Sequence, residues 1–262
     1  MRDLELIGKT AFVSGAGSGI GKAAALRLAN AGADVIVASR TTKEVAATAN
    51  AIEAVGRRSL ALALDVSDQN AMRVAFAKIK REFGHLDIVF ANAGINGVWA
   101  PLAELKPKEW QQTMDINLGG TFLTLHFAIP LMQATGGSIV ITASINGNRT
   151  FTSAGASAYA TTKAGQVALC KMAALELAKH RIRVNVICPG AIGTEIDENT
   201  KKRNTKLAAE PAMYPKGTVP LTEGQPGTAA DCAELVLFLA SDRSKHITGT
   251  PIYIDGGQSL MV

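Results

Sequence analysis

Apolar positions along the chain follow two alternating rhythms. Short runs rich in β-branched residues, apolar at consecutive positions, recur at Thr10–Ser14, Asp34–Ser39, Ser59–Leu64, Leu86–Ala91, Ser138–Ala143, Arg183–Ile187 and Pro251–Ile254. Longer segments of helical period separate them: Ile20–Ala31, Thr42–Val55, Gln69–Phe83, Lys108–Gln133, Ala156–Lys179 and Ala229–Ala240. The first three end at Gly32, Gly56 and Gly84, the residue type that closes a helix in left-handed backbone without steric penalty. Strands apolar on both sides need helices on both faces, and strict strand–helix alternation gives a parallel sheet. The pattern predicts an α/β fold: a doubly wound parallel sheet of about seven strands, Rossmann-like, in a single domain over residues 1–262. The longest irregular stretch, 191–227, holds Pro211, Pro215, Pro220 and Pro226. Loops of that length in compact domains are commonly functional, and a mobile substrate lid is expected there.

Composition narrows the classes. With 47% hydrophobic and 19% charged residues, the 262-residue chain supports a large core and is not a disordered one. The net charge of +5 is scattered. Only Lys201, Lys202, Arg203 and Lys206 cluster, which reads as an exposed helical face, so no nucleic-acid partner is expected. Cys170, Cys188 and Cys232 are too few and too far apart for a disulfide framework; they read as free thiols in a reducing compartment. The opening Met1-Arg2-Asp3-Leu4-Glu5 lacks the apolar core of a signal peptide, so a cytoplasmic location is expected. No charge falls between Asp115 and Arg149, but His126, Pro130 and Gly136-Gly137 divide that stretch into a helix and a strand, so no membrane span is expected. The histidines, at 85, 126, 180 and 246, have no paired metal-ligand spacing and read as turn or packing residues, with no metal expected.

Ser14-Gly15-Ala16-Gly17-Ser18-Gly19-Ile20-Gly21 follows the first strand directly and opens the first helix. Glycines there allow a tight turn and let backbone N–H groups approach a pyrophosphate at the helix N-terminus. The spacing departs from GxGxxG, because Ile20 stands where the third glycine would fall when counted from Gly15.

These residues resemble the short-chain dehydrogenase/reductase family, whose fingerprint TGxxxGxG is met with Ser14 in place of Thr. Ala91-Asn92-Ala93-Gly94 is similar to the family's NNAG, with Ala91 replacing the first Asn. Asn117, Ser144, Tyr159 and Lys163 match its catalytic set; Pro189-Gly190 with Thr194, Thr248-Gly249, and Asp255-Gly256-Gly257 match its later segments. The motifs keep family order from Ser14 to Gly257. The resemblance implies hydride transfer with a nicotinamide dinucleotide. It also implies cofactor contacts from Gly15, Ser18, Gly19, Ile20, Ser39, Arg40, Asp65, Val66, Asn92, Gly94, Tyr159, Lys163, Pro189, Gly190, Ile192 and Thr194.

A Rossmann-type fold that prefers NAD usually ends its second strand in an acid that bonds the ribose 2′-OH. Here that strand ends Ala38-Ser39-Arg40, and Asp34 lies too early. Ser39 and the planar Arg40 guanidinium suit a 2′-phosphate, so NADP(H) is expected over NAD(H). The second basic residue that many NADP enzymes of the family carry in the glycine turn is missing from Ala16-Gly17-Ser18. Asp65-Val66 resembles the family's adenine contact; Asp65 also reads as a helix N-cap.

Tyr159 and Lys163, four apart on a predicted helix, share one face. A phenol has a pKa of about 10, and a neighbouring ammonium lowers it, which suits proton exchange with an alkoxide. Ser144, after the fifth strand, is placed to hydrogen-bond the substrate oxygen. Ser153 and Ser157 read as caps at the entry of the Tyr159 helix. Asn117 reads as mid-helix polar packing, or, as the family implies, as holder of a relay water. The expected substrate lining is 95–99, 144–151, Tyr159, 190–192 and the lid, mixing Trp99, Phe151 and Met213 with Asn96, Asn146, Asn148 and Arg149. Arg149 reads either as a grip for an anion or as a solvated loop cation. The expected activity interconverts a ketone and a secondary alcohol with NADP(H), on a small-molecule substrate. A 3-oxoacyl-carrier-protein reductase and a non-catalytic NADP(H)-binding sensor are the alternatives. The family resemblance also implies a homotetramer, with Lys108–Gln133 and Ala156–Lys179 forming one interface.

Overall fold

The computed structural model describes residues 4–194, 196, 200–210 and 217–261. The strands are β1 Thr10–Ser14, β2 Asp34–Ser39, β3 Ser59–Ala63, β4 Ile88–Ala91, β5 Val98–Trp99, β6 Gly137–Thr142, β7 Ile182–Pro189, β8 Lys201–Lys202 and β9 Pro251–Ile254. The helices are α1 Gly19–Asn30, α2 Thr42–Ala54, α3 Gln69–Phe83, α4 Pro107–Thr113, α5 Gly120–Ala128, α6 Ser157–Leu177 and α7 Ala229–Ala240. Seven strands form one sheet in the order β3-β2-β1-β4-β6-β7-β9, every pair parallel. The expected fold class is the observed one.

Each strand sends alternate residues to opposite faces. In β1, Phe12 joins a core layer with Ile36, Met72, Phe76, Leu125, Ile139 and Cys170. Ala11 and Val13 point the other way, into a layer with Leu28, Val35, Ile52, Phe90, Val140 and Leu237. Helices α3, α5 and α6 thus cover one face, and α1, α2 and α7 the other. Each large side chain fully buried in these layers contributes about 1.5–3 kcal/mol. The chain leaves β1 towards β2 on one side and returns as β4 on the other, so a crevice opens beyond the carboxyl ends of β1 and β4.

Several elements differ from expectation. The segment predicted as one helix over 108–133 is α4, a π-helical turn Met114–Gly119, α5, and a 3-10 turn Ile129–Leu131 that begins where Pro130 cannot donate. The fourth strand starts at Ile88: Leu86 gives its N–H to the Leu131 carbonyl, outside the sheet, and only from Asp87, which donates to Thr10 of β1, does the chain meet the neighbouring strand. The basic cluster is not a helical face. Lys201–Lys202 form β8, paired with β5 (Val98 opposite Lys201, Trp99 opposite Lys202), and Thr205–Ala208 is a 3-10 turn. Arg203 chelates Glu109 at 2.8 and 2.9 Å, fastening this part of the expected lid to α4. Its Pro211, Met213 and Pro215 lie outside the described residues, as do Met1, Arg2 and Asp3.

Candidate active site

The glycine turn between β1 and α1 is shaped by close approach. A Cβ on Gly15, whose φ is +67°, would stand 2.9 Å from Asn92 Nδ2, and one on Gly21 would stand 2.1 Å from the Gly15 carbonyl oxygen. The Ser14 hydroxyl accepts from the N–H groups of Asn92 (3.0 Å) and Ala93 (3.1 Å), tying β1 to β4. Thr is replaced by Ser at this position, and the hydroxyl is what the junction uses. Asn92 Oδ1 accepts from Thr142 Oγ1 at 3.0 Å, extending the tie to β6. Ser18 precedes α1 in extended backbone and makes no side-chain cap, and no acid lies in the first turn. The first N–H groups of α1 therefore face the crevice with the dipole's positive end, a fit for a pyrophosphate. Thr194 comes back over this turn: its Cγ2 lies 3.4 Å from the Cβ position of Gly19. The chain after β7 is held by Gly190 N–H to Ile254 O (3.1 Å), Ala191 N–H to Gln258 Oε1 (2.7 Å), and a bridge between Ile192 and Gly227.

Beyond β3, Asp65 is not a helix cap. Its Oδ1 accepts from Ser67 N–H (2.9 Å) and Ser67 Oγ (2.7 Å), while Asp68 caps α3. Val66 is buried, and a Cβ on Gly120 would stand 2.5 Å from its Cγ2. Arg40 is exposed just beyond Ser39, with no hydrogen bond or ion pair among the described residues.

Beyond β6 the predicted catalytic residues come together. Lys163, 3% exposed, donates from Nζ to the Thr142 carbonyl at 2.8 Å and lies 5.4 Å from the Tyr159 ring centroid. Burial lowers its pKa from 10.5 to about 8. The nearby Cys188 thiol does not supply a counter-charge at neutral pH, because burial pushes its own pKa up to about 11. Ser144 follows Thr142 by two residues; its Oγ accepts from Asn146 N–H at 3.1 Å, leaving the hydroxyl proton uncommitted among the described residues. The Ser144 segment is held to β7 by Ala143 N–H to Ile187 O and Ile145 N–H to Pro189 O.

Asn117 sits in the π-helical turn, not in a regular helix. Oδ1 accepts from Ile95 N–H (2.8 Å), and Nδ2 donates to Ile95 O (2.9 Å) and Thr162 Oγ1 (3.1 Å). A Cβ on Gly94 would stand 3.2 Å from Asn117 Oδ1 and 3.7 Å from Lys163 Nζ, so these three residues meet at one point. The Asn117 carbonyl accepts from Thr121 Oγ1 (2.7 Å) and Gln166 Nε2 (3.0 Å). Gln166 is fully buried and sequence reasoning missed it; the signal was a polar residue three positions past Lys163 on the apolar side of α6.

Ser153 does not cap α6; its Oγ donates to Asn146 Oδ1 at 3.0 Å, and the cap position is Ala156. Asn146, Thr150, Phe151, Ser153, Gly155 and Ala160, with Ala100, Leu102 and Ala208, line a half-open pocket of about 280 Å³ next to Ser144, Tyr159 and Lys163 in sequence, though none of these three is in its lining. No charged residue lines it, and Thr150 Oγ1 is buried there without a partner among the described residues. Arg149 stacks 3.5 Å above the Tyr253 ring, beside Asp255. Burial raises the Asp255 carboxyl, but hydrogen bonds from Ser259 and Gly257 N–H and the Arg149 charge outweigh it and leave the pKa lowered. Among the described residues, no three His, Cys, Asp or Glu side chains gather as a metal site, and no helix is long and apolar enough to cross a membrane.

The sequence profile of a family described as enoyl-(acyl carrier protein) reductase matches residues 15–259. A 3beta-hydroxysteroid dehydrogenase of Mediterraneibacter gnavus is 35% identical over 261 residues, 95% of this chain and 94% of that protein. A solved structure of a 3-ketoacyl-ACP reductase from Sinorhizobium meliloti superposes with a TM-score of 0.94 at 54% identity, covering 97% of this chain and 100% of the other. A carveol dehydrogenase from Mycobacterium avium, solved with NAD, superposes with a TM-score of 0.85 at 30% identity, covering 98% of this chain and 99% of the other.

Proposed function

The chain belongs to the short-chain dehydrogenase/reductase family, and from that premise we propose that it interconverts a ketone and a secondary alcohol with NADP(H). The family comprises oxidoreductases that act on CH–OH groups with NAD(P)(H). The bound nicotinamide supplies or accepts the hydride; the protein supplies orientation and proton chemistry. The observation that carries the reading is Lys163, an ammonium buried beneath the Tyr159 ring and anchored to the end of β6. A cation in that position favours the phenolate and tunes Tyr159 to give a proton to the developing alkoxide, or to take one from an alcohol. Ser144 donates to the same substrate oxygen. Asn117 fixes the Ile95 segment at the mouth of the site and supports proton relay to the Tyr159–Lys163 pair.

Gly15, Ser18, Gly19 and Ile20 are assigned to the pyrophosphate, Ser39 and Arg40 to a 2′-phosphate, and Asp65 with Val66 to the adenine. Asn92, Gly94, Pro189, Gly190, Ile192 and Thr194 complete the crevice. Arg40, free among the described residues, supports the NADP(H) preference. The uncharged 280 Å³ pocket suits a neutral small molecule. A second reading, reduction of a 3-oxoacyl carrier-protein thioester, is favoured by the 54% identity to the Sinorhizobium meliloti protein. We also read the chain as a homotetramer.

The test is cofactor oxidation by purified protein against a ketone panel, with NADPH and NADH in parallel and a 3-oxoacyl thioester as competitor. Turnover is expected to favour NADPH and to fall at least about 100-fold in Tyr159→Phe, the scale of a lost general acid. Preference for the thioester moves the assignment to the second reading. Tight NADPH binding with no turnover on any substrate overturns catalysis and leaves the sensor.

A further inference from the structure

The second strand ends without an acid, yet the structure brings one to the same place from elsewhere. Glu44 lies in the first turn of α2, five residues beyond Ser39. Its side chain folds back over the glycine turn. A Cβ on Gly17 would stand 2.7 Å from Glu44 Oε2, 3.1 Å from Glu44 Cβ and 2.8 Å from Ser39 Oγ. The carboxylate and the Ser39 hydroxyl therefore converge on one point above the turn, at the carboxyl ends of β1 and β2. This space, and not a positive φ, is what requires glycine at position 17. The α2 dipole favours a carboxylate there, because Thr41 makes no side-chain cap and leaves the first N–H groups open. Among the described residues the carboxylate has no hydrogen bond or ion pair of its own: only the Glu44 main-chain carbonyl is engaged, by Thr48 Oγ1.

We propose that Glu44 is a cofactor-specificity residue that opposes Arg40: its carboxylate accepts a hydrogen bond from a free ribose 2′-OH and repels a 2′-phosphate, so the chain binds both NAD(H) and NADP(H). The proposal rests on the reading of the glycine turn as a dinucleotide site. The ribose 2′ position in such folds lies at the end of the second strand, where Ser39, Arg40 and Glu44 now stand as a neutral, a cationic and an anionic group. Arg40 draws the phosphate in and Glu44 pushes it away, so preference is a difference between two charges of opposite sign. Glu44→Gln keeps the length and an acceptor oxygen but removes the repulsion. A charge interaction at contact distance near a protein surface is worth about tenfold or more in affinity.

The experiment is fluorescence titration of NADPH and NADH binding, without substrate, to wild type, Glu44→Gln and Arg40→Ala. Glu44→Gln is expected to lower the Kd for NADPH about tenfold, to change that for NADH by less than about threefold, and to flatten at high salt, as a charge effect must. Arg40→Ala is expected to shift the ratio the opposite way. An unchanged ratio in Glu44→Gln, alongside a shifted one in Arg40→Ala, overturns the role of Glu44 and leaves the cofactor site standing. A wild type that binds neither dinucleotide overturns both.

Discussion

Burying an ammonium ion disfavours its charged form, and Lys163 reports that in its titration. Its pKa falls from 10.5 unfolded to about 8 folded. Between those values the unfolded chain binds more protons than the native one, so stability rises with pH across that window; below pH 8 both states are protonated and the burial penalty is present in full. The buried thiols act with the opposite sign. Burial raises Cys170 and Cys232 to about 12 and Cys188 to about 11, so above pH 9 the unfolded chain loses their protons first and stability falls. The unfolded thiols begin to titrate below pH 9 as well, so the comparison with Lys163→Met, which keeps all three cysteines, is what isolates the lysine. From pH 7 to pH 9 the unfolding free energy of wild type is expected to rise by about 1 kcal/mol relative to Lys163→Met, measured by urea denaturation at matched ionic strength. A flat difference over that range means that Lys163 is solvated in the folded chain.

At the scale of elements, the π-helical turn Met114–Gly119 places Asn117 where its amide reaches the main chain of Ile95. Asn117→Ala leaves the Ile95 N–H and C=O without their side-chain partner, while the Thr162 hydroxyl loses one donor but still donates to the Tyr159 carbonyl. Each unsatisfied buried group costs about 1–3 kcal/mol, and Ile95 is half-buried, so a loss of about 2 kcal/mol is expected in urea unfolding. Faster amide exchange over 95–99 is the local sign; exchange confined to other segments would place the clamp elsewhere. This turn was invisible in the sequence, because one inserted residue does not disturb an apolar period spread over 108–133. The two-residue strands β5 and β8 were invisible for a related reason: a strand that short has no period to read. The seven-strand sheet was legible, since β-branched runs alternating with helical segments allow few other arrangements. At the site, the i, i+4 spacing put Tyr159 and Lys163 on one helix face, but only the resemblance to the family, with Ser144 and the glycine turn alongside, singled the pair out. Glu44 was not, because the rule for the ribose acid looks at the strand end and the side chain arrives from the next helix.

At the scale of the molecule, α5 and α6 cover one face of the sheet yet keep large apolar groups outside. Phe122 is 52% exposed, Met172 70% and Leu175 82%. On α6, Thr161, Ala168, Met172 and Leu175 form a stripe without charge at helical spacing. Monomers rarely leave such a surface uncovered, and a second copy meeting it on a two-fold axis fits the homotetramer proposed above. The same helix carries Lys163 among its buried residues, so burying its outer side stiffens the element that holds the proposed Tyr159–Lys163 pair. The expected outcome is a wild type that sediments as a tetramer, with a Tm that rises with protein concentration, because association stabilises only the folded state. Leu175→Glu places a charge on this face and is expected to yield smaller species whose Tm depends less steeply on concentration than the wild type's. Its Kd for NADPH is expected to stay within about threefold of wild type, since the glycine turn belongs to the opposite helical layer and distant sites act independently. A monomeric wild type with a concentration-independent Tm would leave this face bare in solution, and α6 would then owe its order to the sheet alone.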